Sequence, residues 1–186
     1  MAEVLLFVAD GTEEIEALTV VDLLRRVGVE VDIVSIEDSI EVEGSHAIII
    51  KADKMLCEAK WEEAKMLVLP GGMPGTNRLM ACETLVEKLK EFNEQGKFLA
   101  AICAAPMVLG VNGILEGRNA TSYPGFEDKL IGANCVTDAV AADGNVITSR
   151  GLGTAIEFSS AIITALRDDA VAKDVLKKII YGGNNA

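Results

Sequence analysis

The chain has 186 residues, half of them hydrophobic, which suits one domain with a sizeable core. Its 17 Lys and Arg against 29 Asp and Glu leave a formal net charge of −12. That charge repels phosphate backbones and anionic lipid, so nucleic acid and membrane surfaces are excluded as broad partners.

No apolar run reaches the roughly 18–20 residues of a membrane helix. The N-terminal run is too short for a signal peptide and carries an acid where a basic region would stand, so a cytoplasmic location is expected. The four cysteines, Cys57, Cys82, Cys103 and Cys135, show no CxxC spacing and have no nearby histidine. They argue against a zinc site and a disulfide framework, and in a reducing compartment they are free thiols. Neither a metal nor a cofactor is expected.

Residues 3–9 are an apolar run read as the first strand. Asp10-Gly11-Thr12 is a turn, with Thr12 as N-cap and Glu13 and Glu14 in the first helical turn. Ala17, Leu18, Val21, Leu24 and Val27 recur at helical spacing until Gly28. Residues 29–36 alternate as a second strand, residues 37–45 form a loop or hairpin turn, and 47–52 a short strand. Residues 55–65 are helical in part. Residues 65–69 make a third buried strand that runs into Pro70-Gly71-Gly72. A glycine pair there lets backbone amides approach a ligand, and a simple turn explains it as well. Spacing predicts one helix over 77–95.

Residues 97–110 open apolar, turn small at Cys103-Ala104-Ala105 and meet Pro106, which suits a first helical turn. The spacing predicts strand, sharp turn and helix, with Cys103 on the turn. This geometry resembles a nucleophile elbow, and a thiol there sits at a helix N-terminus that favours an anion. Taken alone, the window favours a structural cysteine used as a small hydrophobe. Likewise, Glu16 alone reads as a solvated helix-start glutamate.

The remainder gives a strand at 119–123, a hairpin of 135–141 and 146–149 around Asp143-Gly144, a helix from Gly153-Thr154 to about Leu166, and a last helix over 169–181. The tail 182–186 is expected to fray. Strands alternating with helices give a doubly wound α/β domain, whose ligand chemistry sits outside the carboxyl ends of its strands. The turn before Glu16, Gly71-Gly72 and Cys103 fall on that one edge. Their convergence raises the functional reading of Cys103.

Glu13–Ala17 (EEIEA), Val68–Gly72 (VLPGG), Ala100–Pro106 (AAICAAP) and Thr148–Ala155 (TSRGLGTA), in this order and spacing, resemble the ThiJ/PfpI superfamily. The match is closest to the branch of the parkinsonism-associated deglycase (DJ-one) and its bacterial ThiJ-like relatives. The resemblance implies a single domain over residues 1–186, a flavodoxin-like sandwich and a homodimer. It places the reactive cysteine at Cys103, a protonated glutamate that donates to the thiolate at Glu16, and oxyanion-binding amides at Gly72 and Ala104. Many relatives carry a histidine beside the cysteine where Tyr123 stands here. The only histidine is His46. Peptidase chemistry, which in relatives uses a histidine right after the nucleophile, and amidotransferase chemistry, which needs one further on, are both disfavoured: Ala104 follows Cys103 and no histidine lies beyond it. Leu152 stands where relatives often have proline.

Holding a thiol of ordinary pKa, about 8.5, ionised near neutrality takes more than a helix N-terminus supplies, about 0.3–1 kcal/mol. A hydrogen bond donated to the anion adds about 1.5–3 kcal/mol. Glu16 must be neutral to donate it, because a carboxylate beside the sulfur pushes the thiol up. The expected chemistry is attack of Cys103 on a 2-oxoaldehyde or its protein adduct, of glyoxalase III or deglycase type, converting methylglyoxal to lactate. The alternative is an oxidative-stress sensor or chaperone whose Cys103 becomes a sulfinate without turnover. Tyr123 is a candidate assisting donor or a structural tyrosine. Arg150 is a candidate lining residue of the anion pocket or dimer interface, or a solvated surface arginine. A thiamine-biosynthetic or kinase-like role finds no phosphate loop.

Overall fold

A computed structural model describes residues 2–183. Strand β1 (Val4–Val8) is followed by helix α1 (Glu14–Arg26) and β2 (Val31–Ser35). The hairpin β3 (Glu41–Glu43) and β4 (Ile49–Lys51) and the short β5 (Lys54–Met55) lead to β6 (Met66–Leu69). Helices α2 (Gly75–Ala81) and α3 (Glu83–Glu94) precede β7 (Phe98–Ile102) and α4 (Pro106–Val111). Then come β8 (Asn119–Ala120), β9 (Asn134–Cys135), β10 (Val140–Asp143) and β11 (Val146–Ser149), followed by α5 (Ala155–Leu166) and α6 (Asp169–Lys178).

The main sheet has the order β10-β11-β7-β6-β1-β2-β5 and is parallel except for β10. This is the expected flavodoxin-like α/β sandwich. Strand β1 is buried throughout, and its alternation feeds two cores. Val4, Leu6 and Val8 pack with Ala17, Val20 and Leu24 of α1 and Phe158 and Ile162 of α5. Leu5 and Phe7 pack on the other face with Leu85, Leu89 and Phe92 of α3 and Val108 of α4. From β1 the chain moves one way to β2 and later the other way through β6, β7 and β11. The crevice at that reversal is where open α/β sheets bind ligands.

Several local expectations change. Thr12 does not cap α1: its hydroxyl accepts from the Ala9 amide at 3.0 Å and closes the preceding turn. The longer Glu13 carboxylate caps instead, accepting from the Glu16 amide at 2.7 Å. Leu18 is 41 % exposed, because Val20 rather than Leu18 completes the buried stripe. The helix expected over 77–95 is two helices, broken at Cys82, whose ψ of 95° is extended. The strand expected over 135–141 is split: Cys135 pairs with Ala120 in a separate two-stranded sheet, and only Val140–Asp143 joins the hairpin. The strand expected over 119–123 keeps its first two residues alone. Residues 184–186 of the tail lie outside the described residues. Among the described residues no helix is long and apolar enough to cross a membrane.

Candidate active site

Cys103 follows β7 directly and has φ of 66°, in the left-handed region. For an L-residue with a Cβ this costs about 1–2 kcal/mol, so neighbouring structure must hold it. Its amide donates to the Ser149 carbonyl at 2.9 Å, and its carbonyl accepts from the Tyr123 amide at 2.8 Å. Pro106 then opens α4, whose missing N–H costs nothing there. The sulfur is thereby turned out at the carboxyl edge of the sheet, with the amides of Ala104 and Gly72 directed at it. Gly72 can turn its amide this way because its φ is 92°, which a side chain would resist.

Glu16 is only 1 % exposed, so it is not a solvated helix-start residue. Its Oε2 accepts from the Gly71 amide at 2.9 Å, the Leu152 amide adds a further hydrogen bond, and the carboxyl shares a hydrogen bond with Cys103. Burial raises the Glu16 carboxyl to about 7 against these bonds, and the Glu13 charge adds to the rise. With Glu16 ionised, burial first and the adjacent carboxylate second push the Cys103 thiol up to about 12, while the Ala104 and Gly72 amides pull it down. That is the reverse of a depressed thiol; burial is the larger cause and the charge on Glu16 the second. Between these two values the pair holds one proton, and an anion on either disfavours an anion on the other. Moving the proton to Glu16 removes the repulsion and leaves the amides to act on the sulfur.

The family model described as the DJ-1/PfpI family matches residues 2–165. The chain belongs to the DJ-1/PfpI family. It is 41 % identical over 184 residues to Protein DJ-1 homolog A of Arabidopsis thaliana, covering 97 % of this chain and 47 % of that protein. It therefore spans about half the length of that relative. It is 34 % identical to Protein dj-1beta of Drosophila melanogaster, covering 97 % of each chain. A protein of Pyrococcus abyssi named a deglycase is 33 % identical, over 88 % of this chain and 99 % of its own. The solved structure of oxidized Toxoplasma gondii DJ-1 superposes with a TM-score of 0.93 at 37 % identity, covering 98 % of this chain and all of that one.

Within this DJ-1/PfpI site, Cys103, Glu16, Gly72 and Ala104 come together. Tyr123 contributes its backbone: its amide anchors Cys103, its ring lies beside Gly151, and the side chain is 51 % exposed. Among the described residues its hydroxyl makes no hydrogen bond. The Arg150 charge is felt by Glu127, in the segment beyond Tyr123. Three residues noted in the sequence take roles it did not assign: Gly71, one of the glycine pair on the site edge, holds Glu16 through its amide, Glu13 caps α1, and Leu152 supplies an N–H that a proline would lack. His46, distant in sequence, folds onto the start of α1. Its amide and Nδ1 lie 2.7 and 3.0 Å from the two Glu14 oxygens. Glu13, Glu14 and His46 bring ligand-type atoms within 4.8 Å of one another. Both Glu14 oxygens already accept hydrogen bonds, so the cluster reads as an ion pair that ties the β3–β4 hairpin to α1.

Proposed function

We propose that the protein is a cysteine-dependent enzyme acting on 2-oxoaldehydes or their protein adducts, with Cys103 as nucleophile and Glu16 as proton carrier. The observation that carries this reading is the buried Glu16 carboxyl in hydrogen-bond contact with a strained, partly exposed cysteine faced by two backbone amides. The name of the Pyrococcus relative agrees with it.

The thiolate adds to the aldehyde carbon of methylglyoxal, forming a carbon–sulfur bond and an oxyanion that the Gly72 and Ala104 amides receive. Glu16 protonates that oxygen, and its carboxylate then takes the proton from the same carbon. The electron pair passes to the neighbouring carbonyl as an enediolate; the hydroxyl proton of the first carbon passes to the second oxygen, and Glu16 returns its proton to the second carbon. One carbon is oxidised to a thioester and the other reduced to an alcohol. Water hydrolyses the thioester to lactate and frees the thiol. No external oxidant or reductant is consumed. Cys103→Ser should abolish turnover of methylglyoxal to lactate; wild-type turnover in that variant would end this mechanism.

A second reading has Cys103 oxidised to a sulfinate held by the same donors, in a sensor without turnover. Its support is the partial exposure of the sulfur and a neutral acid able to donate to the oxidised group. Mild peroxide should add two oxygens to Cys103 alone; equal modification of Cys57, Cys82 and Cys135 would reject it. We also propose a homodimer. Ile15, Leu18 and Ile48 are 52, 41 and 53 % exposed along one apolar groove on α1, which a second copy would cover. Sedimentation of a monomer at micromolar concentration would refute it.

A further inference from the structure

A hollow of about 330 Å³ is walled by Met73, Met80, Met107, Val111 and Phe126. Asn77 and Lys129 supply its polar lining. Three of its walls continue the three segments that frame the sulfur. Met73 follows Gly72, whose amide faces Cys103. Met107 stands in the first turn of α4, and its amide donates to the Ala104 carbonyl at 3.1 Å. Phe126 ends the turn that begins at Tyr123, the residue whose amide holds Cys103, and its ring meets the Tyr123 ring edge-on at 6.5 Å.

Thioethers and a phenyl ring make an adaptable apolar surface. Met73 and Val111 are 44 and 39 % exposed, so the hollow is open to a ligand. Its volume falls at the low end of the roughly 300–1,000 Å³ range of small-molecule sites. The methyl group of methylglyoxal would leave nearly all of it unfilled.

We propose that this hollow seats the apolar substituent of the substrate. The favoured substrates are then 2-oxoaldehydes, R–CO–CHO, in which R is aryl or branched alkyl. This rests on the reading of Cys103 as the nucleophile, and it adds a specificity site outside the reacting groups. Met73 and Phe126 set which R is accepted, while Glu16, Gly72 and Ala104 act on the two carbonyl carbons.

Two alkylating agents test the hollow without any need for turnover. Phenacyl chloride and chloroacetone carry the same reacting carbon; sulfur displaces chloride from each, and only the substituent differs. The ratio of their rates at Cys103, followed by mass spectrometry, is divided by the same ratio for glutathione. The wild type should give a normalised ratio of at least about ten. Asn77→Trp, which fills the hollow from the exposed face of α2, and Phe126→Ala, which removes a wall, should bring it close to one. An unchanged chloroacetone rate shows that both variants keep the site folded. A normalised ratio near one in the wild type, or one untouched by Asn77→Trp, overturns the proposal. Steady-state kinetics on phenylglyoxal and methylglyoxal then separate the two readings. Turnover of neither, with a raised alkylation ratio, retains the hollow and rejects the enzyme; equal kcat/KM for both rejects the hollow and retains the enzyme.

Discussion

Glu16 and Cys103 meet in the space that Gly71 leaves empty. A Cβ on Gly71 would lie 2.6 Å from Glu16 Oε2, 2.6 Å from Cys103 Cβ and 3.0 Å from Cys103 Sγ. Gly71 is thus required for its missing side chain, while its amide holds the carboxyl. Gly71→Ala should separate acid and sulfur at a cost of about 1–3 kcal/mol from overpacking. Displacement by about 1 Å is enough to lower methylglyoxal turnover about a hundredfold. Chemical denaturation and steady-state kinetics check both numbers. A folded Gly71→Ala protein with wild-type turnover would show that the carboxyl–thiol contact is dispensable.

The raised Glu16 carboxyl makes stability depend on pH with a definite sign. Its folded value of about 7 lies above the ordinary 4.5, so the folded chain binds the proton more tightly than the unfolded chain. The contribution is complete below pH 4.5 and is lost as pH rises through 7, amounting to about 3 kcal/mol. Glu16→Gln carries no titrating group at this position. Between pH 5 and pH 8 the variant should therefore gain up to about 3 kcal/mol relative to wild type, read from urea midpoints at the two pH values. Parallel stability curves for the two proteins would place the titration elsewhere.

Much of this site could be read in the chain because its constraints are local. Small residues around Cys103, Pro106 behind it and a glycine pair after an apolar strand all report backbone requirements, and the φ of 66° at Cys103 is what those small neighbours permit. Glu16 was not legible by the same logic. A glutamate in a first helical turn satisfies the helix dipole in solvent, and only the docking of Gly71 and Leu152 over it makes it buried. The same blindness to tertiary packing hid the break at Cys82, where helical spacing continues across an extended residue. It also hid His46, whose partners lie on another element. The capping choice of Glu13 over Thr12 was closer to sequence reach, but Thr12 is consumed by the turn it ends.

The hairpin β3–β4 is docked on α1 through Glu14, and two substitutions should separate charge from space. Burial opposes ionisation of Glu14, yet hydrogen bonds from the His46 ring and amide hold its carboxyl down at about 2. The His46 side chain is 68 % exposed, so solvent screens its attraction to Glu14 and His46→Ala should lower the melting temperature only slightly. Gly44→Ala is different: its Cβ would fall 2.2 Å from Glu14 Oε1. The carboxylate would lose its place under the hairpin, at a cost of about 1–3 kcal/mol. Thermal melts of both variants check the order. A larger loss in His46→Ala than in Gly44→Ala would mean that the imidazole, not the fit, holds the hairpin.

Leu152 offers a way to move the shared proton without touching either group that holds it. Its amide is one of the donors that favour an ionised Glu16. Leu152 opens a short 3-10 turn, Leu152–Thr154, a position where proline fits. Gly151 before it, with φ of 158° and ψ of −168°, takes a conformation open to glycine and lies outside the helical region that a following proline disfavours. Leu152→Pro therefore removes one N–H from the carboxylate while leaving the turn intact. The Glu16 carboxyl should rise further, the proton should stay on it, and the charge should shift to the sulfur beside the Gly72 and Ala104 amides. Weakening one hydrogen bond to the competing anion by about 1 kcal/mol raises the thiolate fraction about fivefold where the pair carries one proton. Iodoacetamide labelling of Cys103 near pH 7 should become faster by that factor, with the rate in Glu16→Ala below that of wild type. Unchanged labelling in Leu152→Pro would show that the proton already rests on Glu16, and slower labelling would show that the Leu152 amide does not act on the sulfur through the carboxyl.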